Sequence, residues 1–187
     1  ENIVKSFFHI YFFLTILGLF INNKLLNTSK KKYFSLILFN VDDSKFLKAL
    51  IFWLQFTNLI LNSICILFFM FIMESPNVLY GLILLILSYS TRLIGEFLNI
   101  KFYKKYNYIW YSNTKLYFPI VLGLLSLVFL PMFEIYIPFS IISILTIILF
   151  VLSIPCFIYL LKVKDFKLMY KQLNAVTKVM NSKNDKD

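Results

Sequence analysis

The chain has 187 residues, 60% of them apolar, 19% aromatic and only 15% charged, which excludes an ordinary soluble domain, where about a quarter of residues carry charge. A net charge of +10 would suit a nucleic-acid binder, but here it is gathered at the ends of long apolar runs, where it orients a membrane protein. The expected class is all-α: a polytopic integral membrane helix bundle, a single transmembrane domain over 1–187 with five transmembrane helices, short amphipathic helices on the cytoplasmic side, and no nucleic-acid partner.

A membrane-crossing helix needs about 20 mainly apolar residues, and five runs approach that length. The first, 6–21, is short, and is expected to begin before the sequence does: there is no initiator Met, so Glu1 is expected to be a processed end or, by preference, a cut inside a longer chain, and without a basic n-region or a small-residue cleavage site no cleavable signal peptide can be read. His9 stands in this run without an acid, Ser or Cys partner and reads as a packed or hydrogen-bonded histidine rather than a catalyst.

The connector that follows contains SKKKYFSLILFNVDDSKFLKAL. Thr28 or Ser29 suits an N-cap, and Lys30–Phe39 would form a helix of under three turns with Lys30, Lys31, Lys32 and Ser35 on its polar side. Asn40 and Val41 break the run, and Asp42 would cap a second helix starting at Asp43 and Ser44 and entering the next span, its carboxylate favoured by the helix dipole. So short a helix is unstable alone in water and must lean on lipid or on protein.

The second span, 49–73, places Gln55, Asn58, Asn62 and Cys65 on one helical face. Buried amides require partners, so this face should look into the bundle or across a dimer interface, as part of a substrate path or as interhelical hydrogen bonding. The third span, 78–98, ends in STRLIGEFLNIK, where Arg92 and Glu96 are one turn apart and can pair, as a latch or as structure. Ser88, Thr91 and Gly95 beside them would let another helix approach.

In KFYKKYNYIWYSNTKLY, 101–117, aromatics interleave with four lysines, the pattern of an interfacial belt in contact with anionic lipid. The fourth and fifth spans, 116–133 and 139–161, carry Pro119, Pro131 and Pro155, each expected to kink or end a helix. Cys65 and Cys156 lie inside apolar runs and read as small packing residues. The tail, 162–187, has Phe166, Met169, Tyr170, Leu173, Val176 and Met180 at helical spacing, an amphipathic helix for lipid or for a partner protein, before a disordered end.

Cations mark the cytoplasmic side. Connector 22–48 has six lysines, 99–117 has four, and the tail after Leu161 has seven, whereas ESPN (74–77) and EIYIP (134–138) have one glutamate each and no cation. The chain is therefore expected to start outside and end inside the cell membrane, with a cytoplasmic C-terminus.

With that topology, the order of span, basic short helix (KKKYFSLILF), turn (NVD), polar cap (DSK) and next span resembles the coupling-helix region of type-two ATP-binding-cassette (ABC) exporter permeases. The resemblance implies that segment 29–43 docks in a separate ATPase subunit, through Lys30, Lys31, Lys32, Ser35, Leu36, Phe39 and Asp42. It implies further that the five spans correspond to the family's second to sixth, that the fold pairs with a second transmembrane half as a dimer or pseudo-dimer, and that Gln55, Asn58, Asn62, Arg92 and Glu96 flank the translocation path or a helix interface. The short EIYIP departs from members with a large insertion there.

No GxxxxGK[ST], HExxH, GxSxG or carboxylate cluster at metal spacing occurs, so the expectation is no enzyme, no cofactor and no metal, with ATP hydrolysis in a partner. Ion-coupled transport would want buried acids, and Glu96 stands alone in the spans. The alternatives are a non-transporting immunity, assembly or sensor subunit, and a membrane enzyme using Glu96, Arg92 or His9.

Overall fold

A computed structural model describes residues 2–21, 24–27, 29–72, 78–107, 114–173 and 175, apart from the side chains of Asn2, Lys30, Lys31, Phe34, Thr114, Lys115 and Leu116. The described residues form helices joined by short connections, with no strand among them. In chain order these are α1 (Asn2–Ile21), α2 (Lys30–Tyr33) continued by a π-helical turn Phe34–Leu38, α3 (Asp43–Ile72), α4 (Val78–Tyr106), α5 (Thr114–Val128), a 3-10 turn Leu130–Phe133, and α6 (Phe139–Leu161). A last helix, α7, covers 166–173.

Among the described residues four helices are long and apolar enough to cross a membrane: Ile3–Ile21, Asp43–Ile72, Val78–Tyr106 and Phe139–Leu161. Their outward faces are apolar as well, as Phe52, Trp53, Phe56 and Phe68 of α3 show, and a solvent of lipid is what such surfaces require. The expected fourth span, 116–133, differs. Its α-helix stops at Val128, about 22 Å long at 1.5 Å per residue, short of the roughly 30 Å hydrocarbon layer. Pro131 explains the stop: it lacks an amide hydrogen and sits in the first turn of the 3-10 segment that takes over. Pro119 and Pro155, in contrast, lie within continuous helices.

The hub is α4, half of whose apolar stretch is buried against 11% for α3. It packs most extensively on α6, then on α1 and α3, while α5 leans on α1. At 29 residues, α4 is about 43 Å long and must project beyond a bilayer. Its extra length is Asn99–Tyr106, expected as connector; it is helical because Ile100 and Tyr103 are buried against α6 and α7.

Two apolar cores form at opposite ends. One gathers Phe8, Phe12, Phe13, Ile66, Leu84, Leu87 and Ile142. There His9, fully buried, donates from Nε2 to the Leu127 carbonyl at 2.8 Å and accepts the Ile137 N–H on Nδ1 at 3.2 Å. It is the packed, hydrogen-bonded histidine expected, joining α1 to both ends of the α5–α6 connection. The other core joins the α1–α3 connector, the end of α4, the end of α6 and α7. The lysine-rich segments thus meet at one end of the bundle, called here the basic end. Of the two cysteines expected to pack, Cys156 is buried, but Cys65 is exposed, because it falls on the outer side of α3.

Gly95 marks a close contact between α4 and α1. A Cβ there would stand 2.6 Å from the Leu19 carbonyl oxygen, a backbone atom that cannot step aside, whereas at Gly81 the nearest atom is the flexible Met70 sulfur at 3.2 Å and at Gly123 there is open space. Gly95→Ala should therefore destabilise the bundle by about 1–3 kcal/mol, Gly81→Ala by less, and Gly123→Ala not at all. Thermal unfolding of the three variants in one detergent checks this order, and equal midpoints for Gly95→Ala and Gly123→Ala would contradict the α1–α4 contact.

Candidate functional site

The connector between α1 and α3 builds its own local caps. Ser29 starts α2, its Oγ accepting the Lys32 N–H at 3.3 Å and its carbonyl the Tyr33 N–H at 3.0 Å. After one α-turn the backbone widens into the π-helical turn, and Asn40, at φ +49°, ends it in the left-handed conformation that asparagine tolerates. Asp42 then caps α3 as expected, Oδ1 accepting the N–H groups of Ser44 at 2.9 Å and Lys45 at 3.1 Å. The Lys45 amide, opposed by desolvation and aided by the Ser44 amide and the nearby lysine charges, holds the Asp42 carboxyl below the usual carboxylate range.

What anchors this short element is protein. Leu36 is fully buried, and Leu25 and Leu26 are 1% exposed, all in the core of the basic end. Polar contacts grip the backbone between them. Glu96, 3% exposed on α4, accepts the Lys24 N–H on Oε1 at 3.0 Å and the Leu25 N–H on Oε2 at 3.2 Å. From the other side the Lys32 ammonium donates to the carbonyls of Lys24, of Leu25 at 3.2 Å and of Asn27 at 2.9 Å. The start of the connector is thus held between a carboxylate on its N–H side and a cation on its C=O side. Burial pushes the Lys32 amine from its ordinary 10.5 down to about 8, against the Glu96 carboxylate, which raises it.

The tail closes the assembly. The Tyr170 hydroxyl accepts the Ser29 N–H and donates to the Ser29 carbonyl, both at 2.7 Å. Asp43 accepts the Lys167 backbone N–H at 3.0 Å, so one aspartate of the Asp42–Asp43 pair caps its own helix and the other serves α7. Lys167 also reaches Asn40 Oδ1, Lys104 pairs with Asp165 at 3.3 Å, and Tyr103 donates to Gln172 at 3.4 Å. Phe166, Met169, Tyr170 and Leu173 are buried. The surface that the amphipathic tail was expected to find in lipid or in a partner is the connector and α4 of its own chain; Val176 and Met180 lie outside the described residues.

The polar face of α3 forms a second constellation. Tyr11 donates to Asn62 Oδ1 at 2.7 Å, Asn62 Nδ2 donates to Asn58 Oδ1 at 3.1 Å and to the Asn58 carbonyl at 2.7 Å, and Asn58 Nδ2 donates to Ser88 Oγ at 3.1 Å. Arg92 Nη1 donates to Asn58 Oδ1 at 3.3 Å, while Arg92 Nε and Nη2 and Gln55 Oε1 are buried without a protein partner. These side chains link α1, α3 and α4. The direct Arg92–Glu96 pairing that one-turn spacing allows is not adopted: Arg92 turns to α3 and Glu96 to the connector, since backbone amides at the α1 terminus are the nearer donors for the buried carboxylate.

Of the residues expected to meet an ATPase, Leu36 faces inward, Lys32 grips the connector, Ser35 is half-buried, and Phe39 and Asp42 face outward. Phe39 is 75% exposed, with Leu38 and Val41 beside it also exposed. The side chains of Lys30 and Lys31 lie outside the described residues, as does Thr28. Sequence reasoning missed the paired grip of Glu96 and Lys32 on the connector and the Tyr170–Ser29 strap; each joins residues through backbone atoms, which carry no sequence signal. No family model, curated protein or solved structure matches the chain.

Two outcomes follow from this geometry. Because Lys32 yields its proton more readily folded than unfolded, the folded chain holds fewer protons between about pH 8 and 10.5, and raising the pH through that window favours the folded connector. Acetylation of Lys32, followed by mass spectrometry against pH, should have its midpoint near 8, and lower still in Glu96→Gln; a midpoint at the ordinary lysine value would contradict the buried grip. Tyr170→Phe removes both hydrogen bonds to Ser29 and should weaken tail docking by about 1–3 kcal/mol, read as faster amide hydrogen exchange in 166–173.

Proposed function

We propose that the chain is the membrane-spanning component of an ATP-driven exporter of ABC type, in which a separate cytosolic ATPase subunit acts on connector 29–43. The observation that carries this reading is the form of the connector: an element too short to be stable alone, fastened to α4 by Glu96 and to α7 by Ser29 and Asp43, yet presenting Leu38, Phe39 and Val41 outward. An exposed apolar tip on a braced base is what a motion-transmitting contact needs, since force applied to the tip reaches the helices rather than bending a loop. The lysine distribution supports a cell-membrane orientation with the basic end and the C-terminus in the cytoplasm.

In this mechanism the ATPase pair closes on ATP and displaces the connector with α2. Glu96 then leaves the Lys24 and Leu25 amides, and Arg92, one turn away with two guanidinium nitrogens that lack a partner, is the next partner on α4. The exchange changes how α4 meets α1 and α3, and the spans rock to open outward. A second transmembrane half would pack on the apolar outer face of α3. The hydrogen-bonded state of Asn58 and Asn62 favours one competing reading, a non-transporting membrane subunit whose α3 polar face serves only to join helices.

The test places a photo-crosslinking residue at Phe39 in the full chain in its native membrane. A crosslink to an ATP-binding subunit, reduced at least about tenfold when Val41→Asp is added, supports the exporter reading. Crosslinks confined to lipid or to the chain's own tail would sink it in favour of the non-transporting subunit. Because Val41 is an exposed side chain, its substitution should leave the bundle folded, which the thermal midpoint verifies.

A further inference from the structure

Between the last turn of α1 and the end of α4 lies a cavity of about 410 Å³, within the range of roughly 300–1,000 Å³ that ligand sites occupy. Leu19 and Phe20 form one wall, Leu98 and Phe102 the other, and Lys101 and Lys105 stand at its rim one helical turn apart. Among the described residues no carboxylate lines it. Lys101 lies 5.5 Å over the Phe97 ring and Lys105 5.1 Å over the Tyr106 ring, so aromatic faces hold both cations. Lys104, between them in sequence, is taken by Asp165, whereas neither rim lysine has an acidic partner among the described residues.

The position sorts the ligand classes. Leu98 and Gly95 lie where α4 is still within the membrane-length run, and Lys101 and Lys105 lie on the part of the helix that outruns about 30 Å of hydrocarbon. Apolar walls therefore face the bilayer and two unneutralised cations face the water at its edge. A soluble phosphate compound has no use for the four apolar side chains, and an apolar metabolite has none for the lysines. We propose that this groove is a binding site for an anionic phospholipid, its phosphate headgroup on Lys101 and Lys105 and one acyl chain against Leu19, Phe20, Leu98 and Phe102. Basic pockets between membrane helices hold such headgroups by this charge complementarity. The bound lipid would fill the space beside the close α1–α4 contact at Gly95. The site stands on geometry separate from the connector and holds whether or not the chain transports anything.

Native mass spectrometry of the full chain, with phosphatidylglycerol or phosphatidylcholine of equal chain length added, tests it. The wild-type chain should retain phosphatidylglycerol preferentially, and the preference should fall about fivefold for each lysine removed in Lys101→Gln and Lys105→Gln. Lys45→Gln with Lys48→Gln removes equal charge elsewhere at the basic end and should leave the preference intact. Leu98→Trp, which narrows the groove and keeps both cations, should weaken retention of the lipid. Millimolar inorganic phosphate should fail to displace it. Equal loss in both lysine pairs would mean general surface charge, displacement by inorganic phosphate would mean a headgroup site without a lipid groove, and unchanged preference in the Lys101 and Lys105 variant would mean no site there; each overturns the proposal.

Discussion

The bundle depends on how one buried carboxylate is satisfied. A charge at 3% exposure, far into a helix that packs on three others, is among the most expensive features a membrane protein can carry unless donors converge on it. Glu96 finds two N–H groups in the connector just beyond the end of α1 and an ammonium close enough to influence. Neither group can be moved without exposing the other. This mutual need fixes where the connector starts, which in turn fixes Ser29, the strap to Tyr170 and the docking of α7.

The two ends of the bundle are held by different physics. At the end opposite the lysines, aromatic rings interlock, as in the contact of Phe8 with Phe139 at 4.9 Å and of Tyr80 with Phe139 at 4.3 Å, and His9 supplies a local link. Such packing is non-directional and tolerates only the volume it was built for. At the basic end an apolar core around Leu25, Leu36 and Phe166 is supplemented by directional hydrogen bonds to backbone atoms of a short connector. Directional bonds can be exchanged for others of the same kind, whereas an interlocked aromatic core can only be opened. Any two-state behaviour of this molecule therefore belongs at the basic end.

Hydropathy and lysine placement made the helical spans and their common basic end legible, because length and charge are properties of the chain alone. Asp42 was legible as a cap for the same reason: its partners are two and three residues away. The fourth span reads longer in the sequence than its α-helix because apolar composition continues past Val128 while the α-helical hydrogen bonding does not, Pro131 being unable to carry it on. Glu96 was seen as exceptional, but spacing assigned it to Arg92, four residues away, when its donors are 71 and 72 residues away. The tail's amphipathic face could be read, yet nothing in its residues says that Ser29 and Asp43 are what it meets. Local rules reach one turn along a helix; the candidate site is made of contacts longer than that.

The polar side chains of α3 deserve the same reasoning about strength. Interhelical hydrogen bonds within a membrane average about 0.6 kcal/mol, because the separated helices find other partners. The links from Tyr11 through Asn62 and Asn58 to Ser88 and Arg92 are therefore weak as sources of stability, while leaving Asn58 or Arg92 with no partner at all would cost far more. Their effect is to set rotation: α1, α3 and α4 can satisfy these groups only in a register that brings the five side chains together. The guanidinium retains donors beyond the one given to Asn58, so a second register that uses them can lie close in energy to the first. A bundle whose helices are positioned by weak, exchangeable polar links, and whose single buried acid among the described residues is bound to an external connector, is suited to pass a displacement of that connector into its interior.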